Sequence, residues 1–232
     1  MKAGLALAAL LALAGCAAPR PRAVDPALAA AGAVAAVQSG ESVRCRATGG
    51  AVHLGGGRFV TAAHVVDGSV QLSRGVCPAG AGPLVLAVAG SPAPARLVRA
   101  GQDRIDRGIG QRYLGGEDVA LLRPARALPR LGAAALCPAL PPPGTPALLV
   151  TPRRSLRTRI LAPVADPDAR FGAYLEIPER LMPGESGGAV FEAGSGCLAG
   201  LVSHRDEGPG PARTRLVPAP VIARFLAAIV GP

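Results

Sequence analysis

The chain has 232 residues, half of them hydrophobic, so it is long enough to bury one full core or two small ones. Aromatic residues make up only 3% and Trp is absent, whereas 24 residues are Pro and 31 are Gly, which favours many short strands and turns over long helices. The formal net charge of +10 comes from scattered arginines without an interleaved aromatic motif, which argues against nucleic acid as a specific partner.

The first residues have the pattern of a targeting segment. Lys2 precedes an apolar run that is too short to anchor a chain stably across a bilayer. The run ends in Leu13-Ala14-Gly15-Cys16, which resembles the bacterial lipobox, whose cysteine is lipidated and becomes the first mature residue. We therefore predict a lipoprotein signal peptide over residues 1–15 and a membrane contact through lipid on Cys16. An ordinary cleaved signal peptide is the alternative.

Two further observations bear on the compartment. Of the five cysteines, four remain once Cys16 is set aside, and an even number suits disulfide pairing in an oxidising compartment. By resemblance to Gram-negative lipoproteins, an aspartate after the lipidated cysteine would favour the inner membrane, and Ala17 stands there instead. The expected location is the bacterial cell envelope, on the outer membrane facing the periplasm.

Residues 16–40 are rich in Ala, Pro and Arg and are predicted to form a tether, helical from Pro26 to Val37. From Glu41 onward, short β-like runs alternate with glycines, which predicts a folded domain over 41–232. A surface loop is expected from Gln102 to Gly116. The strands predicted for the first half are Ser42–Arg46, Ala51–Leu54, Arg58–Thr61, Ser69–Ser73, Leu84–Ala89, Ala95–Val98 and Val119–Leu122.

A proline-rich connector over 124–146 separates this half, about 41–123, from a second half over 147–218. The last segment, 219–230, has apolar residues at helical spacing and is predicted to be a C-terminal helix. The strands predicted for the second half are Ala147–Thr151, Thr158–Val164, Ala173–Ile177, Ala189–Glu192, Cys197–Ser203 and Arg213–Val217.

The segment from Met182 to Phe191 places Ser186 among glycines, after a proline and before an apolar run. This pattern predicts a tight turn that exposes one hydroxyl, because glycine adopts backbone angles that other residues resist. The amides of Gly184 and Ser186 in such a turn can point at one spot beside the hydroxyl. That spot suits an oxyanion, whose charge appears only in the transition state.

A serine hydroxyl needs an oriented base to become a nucleophile. His64 lies in Thr61-Ala62-Ala63-His64, where an apolar strand runs into a small-residue turn. Asp118 begins another apolar strand, Asp118-Val119-Ala120-Leu121-Leu122, and supplies an acid that can hold the imidazole.

Together these three segments resemble the trypsin/chymotrypsin-like serine protease family, whose hallmarks are T-A-A-H, D-[IV]-A-L-L and G-[DEN]-S-G-G in that order. The match covers about Glu41 to Val230. The resemblance implies an all-β fold with two antiparallel six-stranded β-barrels, a C-terminal helix and a polypeptide substrate bound in the cleft between the barrels. The strand pattern alone is equally typical of a sandwich.

Other classes of protein share parts of this pattern. Gly-x-Ser-x-Gly also fits an α/β-hydrolase, but there the acid and then the histidine follow the serine, and too little chain follows Ser186 for that fold. A glycine–serine loop without chemistry would explain Ser186 alone but neither His64 nor Asp118. A non-catalytic envelope module that binds peptides or partners on a protease fold remains the alternative to an enzyme.

The resemblance implies a serine endopeptidase without cofactor or metal. Ser186 attacks a peptide carbonyl to form an acyl-enzyme, His64 relays the proton and Asp118 holds the imidazole. The amides of Gly184 and Ser186 form the oxyanion hole. Ser203 hydrogen-bonds the buried acid, on a strand along which the substrate pairs by β-addition.

The chain departs from the family at several places. Arg180 stands where the floor of the specificity pocket is expected, and His204 and Arg205 replace an aromatic–glycine pair at its entrance, so these three are candidate substrate-binding residues. An arginine there disfavours cleavage after Lys or Arg; the alternative is that Arg180 points to solvent. Glu185 replaces the usual Asp or Asn, and without a zymogen N-terminus we expect hydrogen bonds or an arginine to neutralise it.

The remaining cysteines are expected to pair within each half, as Cys45–Cys77 and Cys137–Cys197, because these pairs avoid crossing the cleft between the halves.

Overall fold

The computed structural model of the protein describes residues 25–70, 77, 82–106, 110–128, 131–206 and 210–230. The predicted signal peptide and Cys16 lie outside these residues. The described α-helices are α1 (Pro26–Ala31), α2 (Ala63–Val66) and α3 (Ala219–Val230). The strands are β1 (Val34–Ser39), β2 (Ala47–His53), β3 (Phe59–Thr61), β4 (Leu84–Val88), β5 (Ser91–Ala100), β6 (Asp103–Asp106), β7 (Gly110–Tyr113), β8 (Ala120–Pro124), β9 (Pro146–Val150), β10 (Ser155–Arg159), β11 (Val164–Ala165), β12 (Ala173–Ile177), β13 (Ala189–Glu192), β14 (Leu198–Asp206) and β15 (Arg213–Pro218).

The first half of the chain forms a closed antiparallel barrel with the strand order β1-β2-β3-β8-β5-β4. Its interior consists mainly of small and branched apolar side chains, with Phe59 and Tyr113 as aromatic members. Alternate residues of a strand face the same side. On β4, for example, Leu84, Leu86 and Val88 are buried whereas the residues between them are half-buried. The predicted six-stranded barrel of the first half is therefore confirmed.

The second half forms a seven-stranded antiparallel sheet with the order β10-β9-β13-β14-β15-β12-β11. It contains one strand more than predicted, because the run predicted as Thr158–Val164 is divided between β10 and the two-residue β11. Together with the first barrel and the C-terminal helix α3, this sheet confirms the all-β, chymotrypsin-like architecture.

A core shared by both halves joins the two sheets. Val60 and Leu121 of the first barrel belong to the same buried cluster as Phe191 and Leu201 of the second sheet. The helix α3 adds Val221, Ile222 and Phe225 to this cluster, which is why its apolar residues recur at helical spacing. Because the two sheets share this core, their positions relative to each other are fixed at the site described below.

The first barrel begins earlier in the chain than predicted, so the tether predicted to extend to residue 40 is wrong at its C-terminal end. The helix ends at Ala31, and Val34–Ser39 forms β1 between β2 and β4. Every second residue of β1 is buried, including Ala35, Val37 and Ser39. The small alanines conceal this period-two pattern, and a run of Ala, Val and Gly resembles a tether in composition.

Two further local predictions are corrected. The strand predicted over Ser42–Arg46 is a 3-10 turn, Val43–Cys45, capped by the Ser42 hydroxyl. The loop predicted from Gln102 to Gly116 contains the hairpin β6–β7, whose strands are too short and polar to stand out in the sequence. Part of the predicted strand Ser69–Ser73 lies outside the described residues.

Both predicted disulfides are present, Cys45–Cys77 in the first half and Cys137–Cys197 in the second. The second one joins the connector to the start of β14, where Leu136 and Leu198 also form an isolated parallel bridge. Within the residues that the structure describes, no helix is both long enough and apolar enough to cross a membrane.

Candidate active site

His64 lies on the short helix α2, directly after β3. The strand β3 pairs with β2 on one side and β8 on the other, and all three of its residues are buried. Ala62 and Ala63, which connect β3 to His64, are fully buried. The imidazole that follows is half-buried at the end of the barrel.

The pairing of β3 with β8 brings Asp118 to the same end of the barrel. Thr61 is opposite Ala120, so the chain before β8 and the chain after β3 leave the sheet together. His64 Nδ1 donates to Asp118 Oδ2 at 2.8 Å, and the His64 backbone N–H donates to Oδ1 at 3.1 Å. Asp118 is 3% exposed, so this carboxylate is fixed by contacts on both oxygens.

The charge of this pair is set by its surroundings. Burial favours the neutral form of Asp118, but the charge of His64 and the hydrogen bonds from His64 and Ser203 outweigh it and lower its pKa to about 2. Burial likewise acts to lower the pKa of His64, but the charge and hydrogen bond of Asp118 outweigh it, so its pKa is raised above the ordinary value. The carboxylate thus stays ionised and makes the imidazole a stronger base.

Ser186 follows a tight turn over Met182–Glu185. The Glu185 N–H donates to the Met182 carbonyl at 3.1 Å, with Pro183 and Gly184 at the centre. Gly184 has φ of +86°, which a type II turn requires at this position and which favours glycine. The predicted turn around the serine is therefore present.

The backbone of Ser186 contacts the first barrel directly. The Gly50 N–H donates to the Ser186 carbonyl at 2.8 Å, and the Gly187 N–H donates to the Val202 carbonyl at 2.7 Å. A Cβ on Gly187 would lie 2.2 Å from the Gly50 carbonyl oxygen, and φ there is +76°. Only glycine fits at this position, because the two sheets approach within backbone contact.

The two amides predicted to form an oxyanion hole are available. Among the described residues, neither the Gly184 N–H nor the Ser186 N–H has a hydrogen-bond acceptor within the protein. Both residues are half-buried and line a cavity of about 250 Å³ together with His64. Two N–H donors without an internal partner can bind an anionic oxygen at this position.

The hydroxyl of Ser186 donates to the Ser203 backbone carbonyl at 3.2 Å. The Ser203 side chain in turn donates to Asp118 Oδ2 at 2.5 Å, as predicted for this strand. Ser203 is therefore in contact with both ends of the Asp118–His64–Ser186 group. No hydrogen bond joins the Ser186 hydroxyl to His64 among the described residues, so transfer of the proton requires that the hydroxyl first leaves the Ser203 carbonyl.

His204 extends this group by one residue. Its Nδ1 lies 2.9 Å from Ser203 Oγ, whose own proton goes to Asp118, so Nδ1–H is the donor. Its Nε2 is then an acceptor and lies 3.5 Å from Arg112 Nη1. Burial lowers the pKa of His204, and the positive charges of Arg215 and Arg112 lower it further. These effects outweigh the negative charge of Asp118, so the pKa is about 4 and the ring is neutral.

The residues predicted to bind substrate do not all lie in the same cavity. His204 and Arg205 line a cavity of about 350 Å³ that His64, Asp118 and Ser203 also line. Arg180 is exposed, and its carbonyl accepts a hydrogen bond from Arg154 Nη2. His204 and Arg205 thus lie beside His64 and Asp118, whereas Arg180 lines none of the described cavities that these two residues border.

Glu185, beside the nucleophile, is 1% exposed and is neutralised by an arginine as predicted. Arg154 Nε donates to Oε1 at 2.7 Å and its Nη2 donates to Oε2 at 2.9 Å, while the Met182 N–H donates to Oε2 at 2.8 Å. The sequence did not indicate which arginine would do this. Arg154 lies 31 residues away in the hairpin β9–β10, and no local pattern marks it.

Arg112 and Tyr174 are two further site residues that the sequence did not single out. Both line the larger cavity, and the Tyr174 ring packs edge-on against His204 with centroids 5.1 Å apart. Arg112 lies on β7, within the segment predicted as a loop. No family motif includes either residue, so no signal in the sequence pointed to them.

Comparison with known proteins gives the fold. No family model matches the chain, and no curated protein matches it in sequence. Among solved structures, the Rv3671c protease from M. tuberculosis in its active form is 18% identical with a TM-score of 0.62, over 88% of this chain and 83% of that chain.

Two longer proteins show the same likeness. The HtrA-type protease AlgW with a tripeptide is 19% identical with a TM-score of 0.64, over 89% of this chain and 62% of that chain. The serine endoprotease from Yersinia pestis is 19% identical with a TM-score of 0.62, over 88% of this chain and 65% of that chain. The fold is that of trypsin-like and HtrA-type serine proteases.

Proposed function

We propose that the chain is a serine endopeptidase that hydrolyses polypeptides through an acyl-enzyme. The observation that carries the proposal is that His64, hydrogen-bonded to the buried Asp118, lines one cavity with Ser186 and Gly184, whose amides have no acceptor among the described residues. A nucleophile, its base, the residue that orients the base and the oxyanion donors are the parts that acyl transfer requires. The serine proteases that share the fold, one of them with a bound tripeptide, support the same reaction class.

The residues of the site have distinct roles in this reaction. The Ser186 oxygen attacks the substrate carbonyl carbon while His64 takes the hydroxyl proton, and the resulting oxyanion accepts hydrogen bonds from the Gly184 and Ser186 amides. His64 then gives the proton to the leaving amine, which departs and leaves the acyl group on Ser186. Water, activated by His64, releases the acid. Asp118 keeps the Nδ1–H tautomer in place and stabilises the imidazolium throughout.

The acyl half of the substrate would pair with the strand β14 beside Ser203, next to the larger cavity. Arg205 and Arg112 line this cavity, and its one carboxylate, Asp118, is already hydrogen-bonded by His64 and Ser203. Cleavage after Lys or Arg is therefore disfavoured. Arg180, which is exposed, would contribute to substrate binding only at the edge of the site.

The proposal is tested by labelling the purified protein with a fluorophosphonate and by profiling cleavage of a peptide library. We expect one label on Ser186, none in Ser186→Ala, and a loss of turnover of the order of 10³-fold or more in that variant. Thermal unfolding of Ser186→Ala serves as the control, because the hydroxyl contributes chemistry and little packing. A wild-type protein that binds peptides but is neither labelled nor cleaves them would instead be a non-catalytic binding module.

We further propose that Cys16 carries the lipid and that the protein is attached to the outer membrane facing the periplasm. The lipobox-like Leu13-Ala14-Gly15-Cys16 supports this proposal. Mass spectrometry of the N-terminal peptide from a membrane fraction should show a diacylated or triacylated cysteine. A free or disulfide-bonded Cys16 in the mature protein would refute it.

A further inference from the structure

None of the described residues that line the cavity of about 250 Å³ shared by Ser186, His64 and Gly184 lies on β14. In the proposed reaction the acyl half of the substrate lies along β14, whose residues Ser203, His204 and Arg205 line only the larger cavity. The chain beyond the scissile bond must therefore leave through the smaller cavity. We call this cavity the leaving-group cavity.

Two arginines, Arg46 and Arg153, line the leaving-group cavity. A Cβ placed on Gly184 would lie 3.3 Å from Arg153 Nε and 3.1 Å from Thr48 Oγ1, so the Arg153 guanidinium packs beside the oxyanion glycine. Arg46 follows Cys45, which the disulfide to Cys77 ties down. Both positive charges are thus held next to the path of the departing chain.

Neither arginine is neutralised by the described part of the protein. No described carboxylate lies within 4.0 Å of either guanidinium, and no Asp or Glu is among the described residues that line the cavity. Arg46 is half-buried, and its Nε is enclosed without a hydrogen-bond partner in the described residues. A buried donor without an acceptor costs free energy unless a ligand supplies one.

Arg112 and Arg215, at the other cavity, differ in having carboxylates within 4.0 Å, although their Nε atoms are likewise buried without a hydrogen-bond partner in the described residues. Arg112 lies 4.0 Å from Asp166 and contacts His204, and Arg215 behind it donates to Asp206 at 2.6 Å. Their charges are already compensated within the protein. Within the described part of the chain, Arg46 and Arg153, on the leaving-group side, therefore lack the carboxylate partners that Arg112 and Arg215 have.

We infer that the leaving-group cavity selects substrates with a carboxylate within the first two residues after the scissile bond. The carboxylate is an Asp or Glu side chain, or the free C-terminus of the substrate. It accepts charge-assisted hydrogen bonds from Arg46 and Arg153. This inference rests on the proposed function, which it deepens by naming a substrate class.

Acyl transfer to added amines measures this side of the site separately. The enzyme is acylated with a peptide ester, and an amine then competes with water: its nitrogen bonds to the acyl carbon, its proton passes to His64, and the Ser186 oxygen departs and is reprotonated. The amines compared are Glu amide with Gln amide for the first position, and Ala-Glu amide with Ala-Gln amide for the second. Ala-Ala with and without a C-terminal amide probes the terminal carboxylate.

We expect the ratio of aminolysis to hydrolysis to be roughly 3- to 10-fold higher for at least one carboxylate-bearing amine than for its neutral partner, since one arginine is exposed and the other half-buried. The preference should decline as salt is added. In Arg46→Gln/Arg153→Gln it should fall to near one. Arg224→Gln, which removes an exposed arginine from α3, should retain the wild-type preference and activity.

Equal ratios for all the matched amines in the wild type, or a preference that persists in the double arginine variant, would overturn the inference while the acylation step still supports the proposed protease. Failure of the ester to acylate Ser186, together with no fluorophosphonate label, would reject the proposed function and the inference with it.

Discussion

Arg154 holds the carboxylate of Glu185 with two hydrogen bonds from its guanidinium, at 2.7 and 2.9 Å, directly behind the proposed nucleophile. The arginine side chain is 36% exposed whereas that of Glu185 is 1% exposed, so the pair connects the buried turn to solvent. Arg154 thus supplies the positive charge beside Glu185 from within the chain. We therefore expect the turn around Ser186 to form without an internal cut.

Removal of Arg154 should disrupt this turn. Arg154→Gln leaves a buried carboxylate without its cation, which costs about 3–5 kcal/mol of unfolding free energy. Fluorophosphonate labelling of Ser186 should slow in parallel. Arg154→Gln/Glu185→Gln should recover much of the stability, because no charge then remains buried, and Arg157→Gln in the same hairpin should have little effect because its ion pair with Asp25 is exposed. Wild-type stability in Arg154→Gln, or intact protein that is inert until clipped within Ala17–Ser42, would contradict this account.

The pH dependence of turnover should follow the coupling of His64 to Asp118. Since His64 acts as a base only when neutral and its pKa is raised, kcat/KM should rise with pH with a midpoint above the ordinary value of 6.5. In Asp118→Asn the charge that raises this pKa is lost, so the midpoint should fall and the rate should drop by about 10⁴-fold. Initial rates on one peptide from pH 4 to 9 measure both effects. An unchanged midpoint in Asp118→Asn would show that Asp118 does not control the base.

The same pair makes a signed prediction for stability. The raised pKa of His64 stabilises the fold fully below its unfolded value of 6.5, and this contribution is lost as the pH rises through the folded value. The lowered pKa of Asp118 stabilises the fold above 3.8, and this contribution is lost as the pH falls towards about 2. The difference in unfolding free energy between wild type and His64→Ala should therefore be largest between pH 3.8 and pH 6.5. Urea titrations at constant salt measure this difference. A flat difference across pH would contradict it.

His204 is expected to act as a positioning residue through Ser203. Its Nδ1–H occupies an acceptor site of the Ser203 hydroxyl, which leaves that hydroxyl's proton directed at Asp118. His204→Phe keeps a ring against Tyr174 but removes the donor, so Asp118 should lose a fixed partner and the midpoint of kcat/KM should move to higher pH. We expect about a 10-fold loss of kcat, as for one neutral hydrogen bond.

A purely structural role for His204 would lower stability without moving the pH midpoint. His204→Asn, whose side-chain N–H₂ can replace the donor, should recover part of the activity. His53→Gln provides the control, because His53 packs on Phe59 and contacts the Gly132 carbonyl away from the site.

The disulfide Cys137–Cys197 should stabilise the second sheet more than its counterpart stabilises the first. It closes a loop of 60 residues, as against 32 for Cys45–Cys77. On loop-entropy grounds, Cys137→Ala/Cys197→Ala should therefore lower the free energy of unfolding by about 4 kcal/mol, slightly more than Cys45→Ala/Cys77→Ala. Urea denaturation of the two double variants measures this. Equal stability of the variants and the wild type would show that the loops are restrained by other contacts.

The sequence was most informative where the chemistry requires fixed residue types at fixed local positions. His64, Asp118 and Ser186 each lie next to an apolar strand, and the strand pairing then brings His64 and Asp118 together. The glycines around Ser186 were interpretable because the turn needs a positive φ. The C-terminal helix was likewise evident from its periodicity.

The sequence was least informative for short strands, for strands built from small side chains, and for contacts between residues far apart in the chain. The alanines of β1 hid an alternating strand, and the polar hairpin β6–β7 resembled a loop. Arg154, Arg112 and Arg46 acquire their positions from contacts between segments far apart in the chain, and the many arginines of this sequence are indistinguishable before folding.

The hydrogen bond from the Gly50 N–H to the Ser186 carbonyl has a consequence for when the protein becomes reactive. Ser186 belongs to the second half of the chain, whereas the Gly50 donor and the His64 imidazole belong to the first half. A chain with only one half folded would contain all the proposed catalytic side chains without their assembled arrangement, so we expect it to be unreactive. Reactivity of Ser186 should therefore appear only after both halves have docked. The rate of fluorophosphonate labelling during refolding would measure that docking step.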